Sequence, residues 1–192
     1  MTDSSPAAQL LVDVRRVLQT WSAPSREQGL LRTAFLDFVD RTPDPASRDQ
    51  RAGHLTASTL LLDDPRERVL LTLHPLAGRW FQLGGHCEPE DVSIAAAAGR
   101  EAAEESGIAG IWMHPGLLGL DRHPTVCRDG ARRPGPSVHF DLEHLGIAPP
   151  GAEPARSDES LDLAWFPVDE LPPGTDPAVR LIVGRARAMG LA

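Results

Sequence analysis

Cysteine is scarce in this sequence: its 192 residues hold only two, Cys87 and Cys127. Their separation matches no zinc-ligand spacing and nothing in the chain suggests an oxidising compartment, so both read as free thiols. Long apolar runs are missing too. No segment approaches the roughly 18 consecutive apolar residues of a membrane-spanning helix. The opening stretch MTDSSPAAQLLVDVRRVLQ lacks the basic leader and unbroken apolar run of an export signal. The expectation is a soluble cytoplasmic protein with no membrane partner. Positive charge is the third shortage, with 19 Lys and Arg against 27 Asp and Glu and a formal net charge of −8. A nucleic-acid polymer is therefore a poor main partner, because phosphate backbones are bound by clustered Lys and Arg. A single phosphorylated metabolite held through metal ions stays compatible. Internal repeats and long low-complexity segments are absent, and no two of the seven histidines show the HExxH spacing of a zinc-binding helix.

What is present is an ordinary globular composition, 41% hydrophobic, enough for one domain with a sizeable core and an added segment. Residues 6–22 place Leu10, Leu11, Val14, Val17 and Leu18 at helical spacing, and SREQGLLRTAFLDFVD repeats the pattern with Leu30, Leu31, Phe35, Leu36 and Phe38. Two helices thus open the chain. The polar, proline-bearing run Arg41–Gly53 reads as a linker, giving an N-terminal helical extension over residues 1–50 and a second unit over 51–192. From His54 the pattern turns to strands: HLTASTLLLDD and RVLLTLH resemble a hairpin about the turn DPRE, and RWFQLGG runs into a glycine pair. An alanine-rich helix from about Val92 to Ser106 follows, closed by Gly107. IWMHPGLLGLDRHPTV and PSVHFDLEHLGIA read as strands around the loop CRDGARRPGPS, LDLAWFP as another, and DPAVRLIVGRARAMG as a terminal helix. This order predicts an α/β sandwich.

The alanine-rich helix carries an electrostatic cost. Its stretch GREAAEESGI sets Glu101, Glu104 and Glu105 in the closing turns, where the helix dipole disfavours anions by about 0.3–1 kcal/mol each. Glu101 and Glu105, four apart, repel by about 0.2–0.5 kcal/mol more. At 100° per residue the three project within roughly a 100° arc, so their oxygens converge as a hard cation requires. Mg²⁺ and Mn²⁺ prefer oxygen ligands. A solvated acidic face is the plain alternative. Arg100, four residues before Glu104, is either an exposed partner or a group that orients that carboxylate. The preceding loop, LGGHCEPED, has a glycine-bearing backbone able to approach a metal or phosphate closely.

Read together, GGHCEPEDVSIAAAAGREAAEESGI resembles the motif of the Nudix, or MutT-related, hydrolases: Gly, five residues, Glu, seven residues, Arg-Glu, an apolar residue, any residue, Glu-Glu, any residue, Gly, apolar. Gly85, Arg100, Glu101, Ala102, Glu104, Glu105, Gly107 and Ile108 match. Asp91 stands where the first glutamate is expected, with eight residues rather than seven before Arg100; it is equally a plausible helix N-cap. The strand pair before the motif, the tryptophan in RWFQLGG and the late SDESLDLAWFPVDEL segment extend the likeness over residues 54–190. HLTAS, LGGH, HFD and SDES look like a bacterial subgroup to which the resemblance assigns no substrate.

The resemblance implies a Nudix-type α/β/α sandwich with a mixed sheet behind the N-terminal extension. It also implies cleavage of a pyrophosphate linkage in a nucleoside diphosphate derivative by water attack, with Mg²⁺ or Mn²⁺ bound. Glu101, Glu104 and Glu105 would be metal ligands, with Gly85 and Asp91 as additions, and Gly84, Gly85 and His86 would contact substrate. Arg100 would hold a ligand glutamate in place. Glu105 or Glu101 comes first as general base, with Glu159 of the SDES loop as the outside candidate; Glu88 could reach metal through water. His123 and His139, on adjacent strands, read as structural, and Trp80, Phe81 and Trp165 as core or as platforms for a ring. Two other readings stay open: an isopentenyl-diphosphate isomerase-like chemistry, and a nucleotide-binding or regulatory module without turnover. The family often dimerises. The N-terminal helices could serve that, pack on their own domain or cover the active site.

Overall fold

The computed structural model describes residues 5–50, 52–127, 135–157 and 160–192. In chain order these form α1 (Pro6–Thr20), α2 (Arg26–Arg41), β1 (His54–Leu62), β2 (Arg68–Leu73), β3 (Trp80–Phe81), β4 (Leu83–His86), α3 (Ile94–Ser106), β5 (Trp112–Cys127), β6 (Gly135–Ile147), β7 (Asp162–Pro167) and α4 (Pro177–Ala188). Strand β1, buried along its whole length, is the centre of a mixed sheet. One edge runs parallel to β6, from His54 opposite His139 to Leu62 opposite Ile147. The other edge is divided. Its first half pairs with β4, Thr56 opposite His86, and its last two residues pair with β2. β2 continues to β3 and β7, while β5 lies antiparallel on β6.

The expected hairpin between β1 and β2 is present and short. Asp63, buried at its turn, explains it: Oδ1 accepts from the Glu67 and Arg68 amides at 2.9 and 3.0 Å, and Oδ2 from Arg68 Nε at 2.7 Å. An Asx side chain thereby does what a longer ladder would otherwise do.

Alternate residues of β1 serve opposite layers, as strand geometry requires. Leu55 and Ala57 join α1, α2 and α3 in one core, whereas Leu60 and Leu62 join α4 in another. The result is the expected α/β/α sandwich. The N-terminal helices settle on their own domain: Leu10, Val14, Leu18, Phe35 and Val39 share the cluster of Ile94, Ala97 and Ala98. They also close the outer edge of β5. Buried Gln28 donates from Nε2 to the Leu120 carbonyl at 3.0 Å and accepts from the Leu120 amide at 2.8 Å, and Trp21 Nε1 donates to the Leu117 carbonyl at 3.0 Å. A side-chain amide thus occupies the place of a neighbouring strand, satisfying backbone groups that an edge otherwise exposes. No helix among the described residues is long and apolar enough to cross a membrane.

Candidate active site on the carboxylate helix

Helix α3 buries Ile94, Ala97, Ala98, Ala102 and Ser106, a stripe at three- and four-residue spacing that lays small side chains against β1 and leaves Arg100, Glu101, Glu104 and Glu105 outside it. Its C-terminus is closed by Gly107 at φ +68°, the left-handed conformation that glycine tolerates best. Its N-cap corrects the sequence reading. Ser93, not Asp91, has the extended backbone of a cap, and its hydroxyl accepts from the Ala96 amide at 3.2 Å. Asp13 of α1 takes a second free amide, that of Ile94, at 3.0 Å. Asp91 is drawn elsewhere by a stronger partner. Its carboxylate, buried in the loop, accepts from the Glu88 amide at 2.7 Å and from Arg100 Nη2 and Nε at 3.0 and 3.3 Å.

Arg100 is the centre of the arrangement. Its Nη1 donates to Glu101 Oε1 and to Glu104 Oε2, both at 3.0 Å, and its Nη2 donates to the His86 carbonyl at 2.9 Å. One guanidinium therefore ties the end of β4, the loop and two helix carboxylates together through its fixed fork of donors. This is the compensating positive charge that the glutamate cluster demands. Glu101 is the more enclosed of the two, its side chain 14% exposed against 58% for Glu104. Burial pushes the Glu101 carboxyl above its usual range, with Arg100 pulling the other way. Glu105, half-buried, reaches the Gly84 amide at 3.4 Å through Oε2. Glu88 stands 4.0 Å from Arg100 Nε and is largely exposed.

The glycine pair, read from the sequence as part of a loop, belongs to strand β4, and each glycine has its own reason. At Gly85 a Cβ would stand 2.5 Å from Glu101 Oε2, so the missing side chain is what lets that carboxylate sit against the strand end. At Gly84, φ +152°, a Cβ would fall 2.6 Å from the Ala57 carbonyl and Ser58 backbone of β1. Gly99 packs toward the flexible Met113 side chain, with a Cβ site 3.3 Å from its Cγ. A cleft of about 590 Å³ adjoins the loop, lined among others by Leu10, Ser47, Arg48, Cys87 and Glu88. Cys87 is buried and its thiol is pushed up to about 12, burial first and the Asp91 charge next; that is an inert thiol.

Glu159 and the Cys127 side chain lie outside the described residues. Trp80 packs edge-on to Phe166 at 4.8 Å, Phe81 meets His74 at 5.9 Å, and Arg68 covers the Trp165 ring at 5.5 Å. His123 and His139 face each other across β5 and β6. His123 Nδ1 pairs with Asp121 Oδ2 at 2.6 Å, which raises its pKa against the opposing effect of burial.

Sequence reasoning missed the buried acids beside them. Asp141 accepts from Thr56 Oγ1 at 2.9 Å and Ser58 Oγ at 2.5 Å. Glu143 pairs with Arg185 of α4 at 2.5 Å, a bridge that passes over Gly119, where a Cβ would collide with the guanidinium. Burial, then the Asp141 charge, pushes the Glu143 carboxyl up to about 8. The signal lay in the alternation of His139, Asp141 and Glu143 along β6, which reads as a solvent face until the sheet is assembled.

Glu101, Glu104 and Glu105 offer only oxygen donors, and Gly85 leaves room for them at the strand end. That set fits a hard divalent cation rather than a soft one. The NUDIX domain profile matches residues 53–183. No curated protein matches the sequence. Among solved structures, a Nudix-family hydrolase of Clostridium perfringens is 22% identical, covering 74% of this chain and 98% of its own, at a TM-score of 0.51. The MutT protein of Methanosarcina mazei is 19% identical over 74% and 99%, at 0.54. The Ap4A hydrolase of C. elegans is 14% identical over 70% and 96%, at 0.55. These likenesses show a shared fold. With the profile spanning well over half the chain and the glycine loop and carboxylate helix assembled as described, the protein belongs to the NUDIX domain family and is an enzyme of the pyrophosphohydrolase class.

Proposed function

We propose that this enzyme cleaves a pyrophosphate linkage in a nucleoside diphosphate derivative or nucleotide, by water attack on phosphorus, with Mg²⁺ or Mn²⁺ as cofactor. The observation that carries the reading is Arg100 holding Glu101 and Glu104 together on one helix face, 3.0 Å from each. Glu101, Glu104 and Glu105 would hold the cation, with Gly85 beside them. When bound, it supplies charge neutralisation at phosphoryl oxygens and acidifies a water. The chain supplies position, which phosphoryl transfer needs most. One glutamate left free of the cation, Glu105 or Glu101 first, accepts the water's proton. Asp91 acts in this reading through Arg100, whose guanidinium occupies both its oxygens. The backbone of Gly84, Gly85 and His86, at the end of β4, would line the substrate side of the carboxylates. Residues 51–192 make up the hydrolase domain and 1–50 an extension that braces α3.

A panel of nucleoside diphosphate and triphosphate derivatives, incubated with Mg²⁺ or Mn²⁺, tests this against Glu104→Gln and Glu105→Gln. Turnover lost in both variants is expected. If nothing is turned over, yet a nucleotide binds equally to wild type and variants, the protein is a binding module instead.

A further inference from the structure

Three neighbouring strands bring one histidine each to a single spot. His54 opens β1, His86 ends β4 and His139 lies on β6. His54 is directly opposite His139, and His86 is opposite Thr56, two residues along on the same face. Their ring centroids are 5.0 Å (His54–His86), 5.0 Å (His54–His139) and 5.2 Å (His86–His139) apart. One ring nitrogen from each lies within 4.8 Å of the others. His54 is fully buried and the other two half-buried. These side chains occupy the sheet face turned away from α3, so they are distinct from the carboxylate cluster.

Packing alone would be served by apolar rings at lower desolvation cost. We propose that His54, His86 and His139 form a binding site for one divalent transition cation of the zinc class. Three nitrogens at most 4.8 Å apart lie about 2.8 Å from their common centre, so an inward shift of about 0.8 Å reaches the roughly 2.0–2.1 Å of a zinc–imidazole bond. Nitrogen ligands select zinc, cobalt, nickel or copper over magnesium, which separates this site chemically from the oxygen-only helix. An outer layer is in place: the Gln50 carbonyl accepts from the His54 ring, and Ser137 Oγ lies 3.4 Å from its Nδ1. Such partners fix ring orientation and tautomer at metal sites. Three protein ligands leave a fourth position for water or another oxygen. The His86 carbonyl accepts from Arg100, so a cation here would brace the strand end on which Arg100 leans.

Arg48 provides the discriminating probe. It is exposed, and its charge acts on all three imidazoles; it opposes a cation and would favour an anion. Full-length protein stripped with EDTA and held in saturating Mg²⁺ is titrated with Zn²⁺ against a chromophoric chelator. One zinc per chain is expected, weakened at least about 100-fold in His139→Gln and in His86→Gln, beyond the roughly 10–100-fold loss typical of outer-layer partners. Because those variants could misfold, Co²⁺ is also added to the unmutated protein, where the intense visible bands of a tetrahedral nitrogen site are expected. Arg48→Ala should bind zinc as well as wild type or better. Absence of stoichiometric zinc, equal affinity in the folded histidine variants, or a weak octahedral cobalt spectrum overturns the proposal. So does a loss in Arg48→Ala accompanied by binding of inorganic phosphate in place of zinc. None of these measurements depends on hydrolase activity.

Discussion

Asp91 grips Arg100 from across the glycine loop, its Oδ2 3.0 Å from Nη2 and its Oδ1 3.3 Å from Nε. The pair is largely enclosed, with side-chain exposures of 7% and 21%. It fixes the guanidinium that in turn fixes Glu101 and Glu104. Replacement of Asp91 by Asn should therefore lower kcat about 10–100-fold, as loss of an outer partner does, and cost about 1.5–3 kcal/mol of stability, as for a hydrogen bond to a charged group. Steady-state kinetics with a Mg²⁺ titration and urea unfolding measure both, and Asp91→Glu should restore part of the metal affinity. Glu88→Gln, on an exposed side chain 4.0 Å away, should change little. Full activity in Asp91→Asn would remove the positioning role.

The two β4 glycines should fail differently when changed to alanine. Gly85→Ala drives the Glu101 carboxylate out of its place, 2.5 Å from the new methyl, so activity should drop at least about tenfold, the scale of one lost orienting contact, with the melting temperature nearly kept. Gly84→Ala meets the β1 backbone at 2.6 Å and cannot relax by moving a side chain, so it should lower the melting temperature first. Equal thermal shifts for the pair would contradict this division.

Asp13 reaches from α1 to the Ile94 amide at 3.0 Å, a capping anion supplied by the extension. Loss of such a cap typically costs about 1 kcal/mol. Asp13→Ala should reduce the urea midpoint accordingly, and hydrogen exchange should quicken in the first turn of α3. Unchanged protection there would show that Ser93 alone holds the helix start.

His144 gives stability a defined pH dependence. It is buried on β6, its Nδ1–H donating to the Leu142 carbonyl at 3.1 Å, and burial lowers its pKa from 6.5 to about 4. The unfolded chain thus binds a proton between those values that the folded chain refuses, so stability is complete above pH 6.5 and falls as the pH drops toward 4. The contribution is about 1.4 kcal/mol per pH unit. Urea unfolding at pH 7 and pH 5 should show a smaller acid loss in His144→Gln than in wild type; an identical loss would place the pH sensitivity elsewhere.

The features legible in the amino-acid sequence are local ones. The motif of α3 lies on one short helix, where a 3.6-residue repeat is enough to place Arg100, Glu101, Glu104 and Glu105 on a shared face and Ala97, Ala98 and Ala102 on the other. Gly107 as a cap is equally local. The amphipathic faces of α1 and α2 are legible too, though not their destination, because an apolar stripe specifies burial without naming a partner. Gln28 completes the edge of β5 only because Leu120 arrives beside it from far along the chain.

The order of strand and helix patterns by itself determined the α/β class and the helical period the carboxylate face, while the family was legible as the resemblance of the GREAAEESGI stretch to the Nudix motif. Tertiary structure decided everything set by register and competition. His54, His86 and His139 meet because three strands pair in one alignment, and a slip of one residue would turn each ring to the opposite face. Asp91 and Ser93 both have capping side chains, and the choice fell to Ser93 because Arg100, nine residues on, claims the Asp91 carboxylate. Asp141 and Glu143 are buried, at 5% and 1% exposure, where strand alternation alone suggests solvent. Short-range periodicity is written in neighbouring residues, whereas burial and long-range charge pairing belong to elements that exist together only after the sheet has closed.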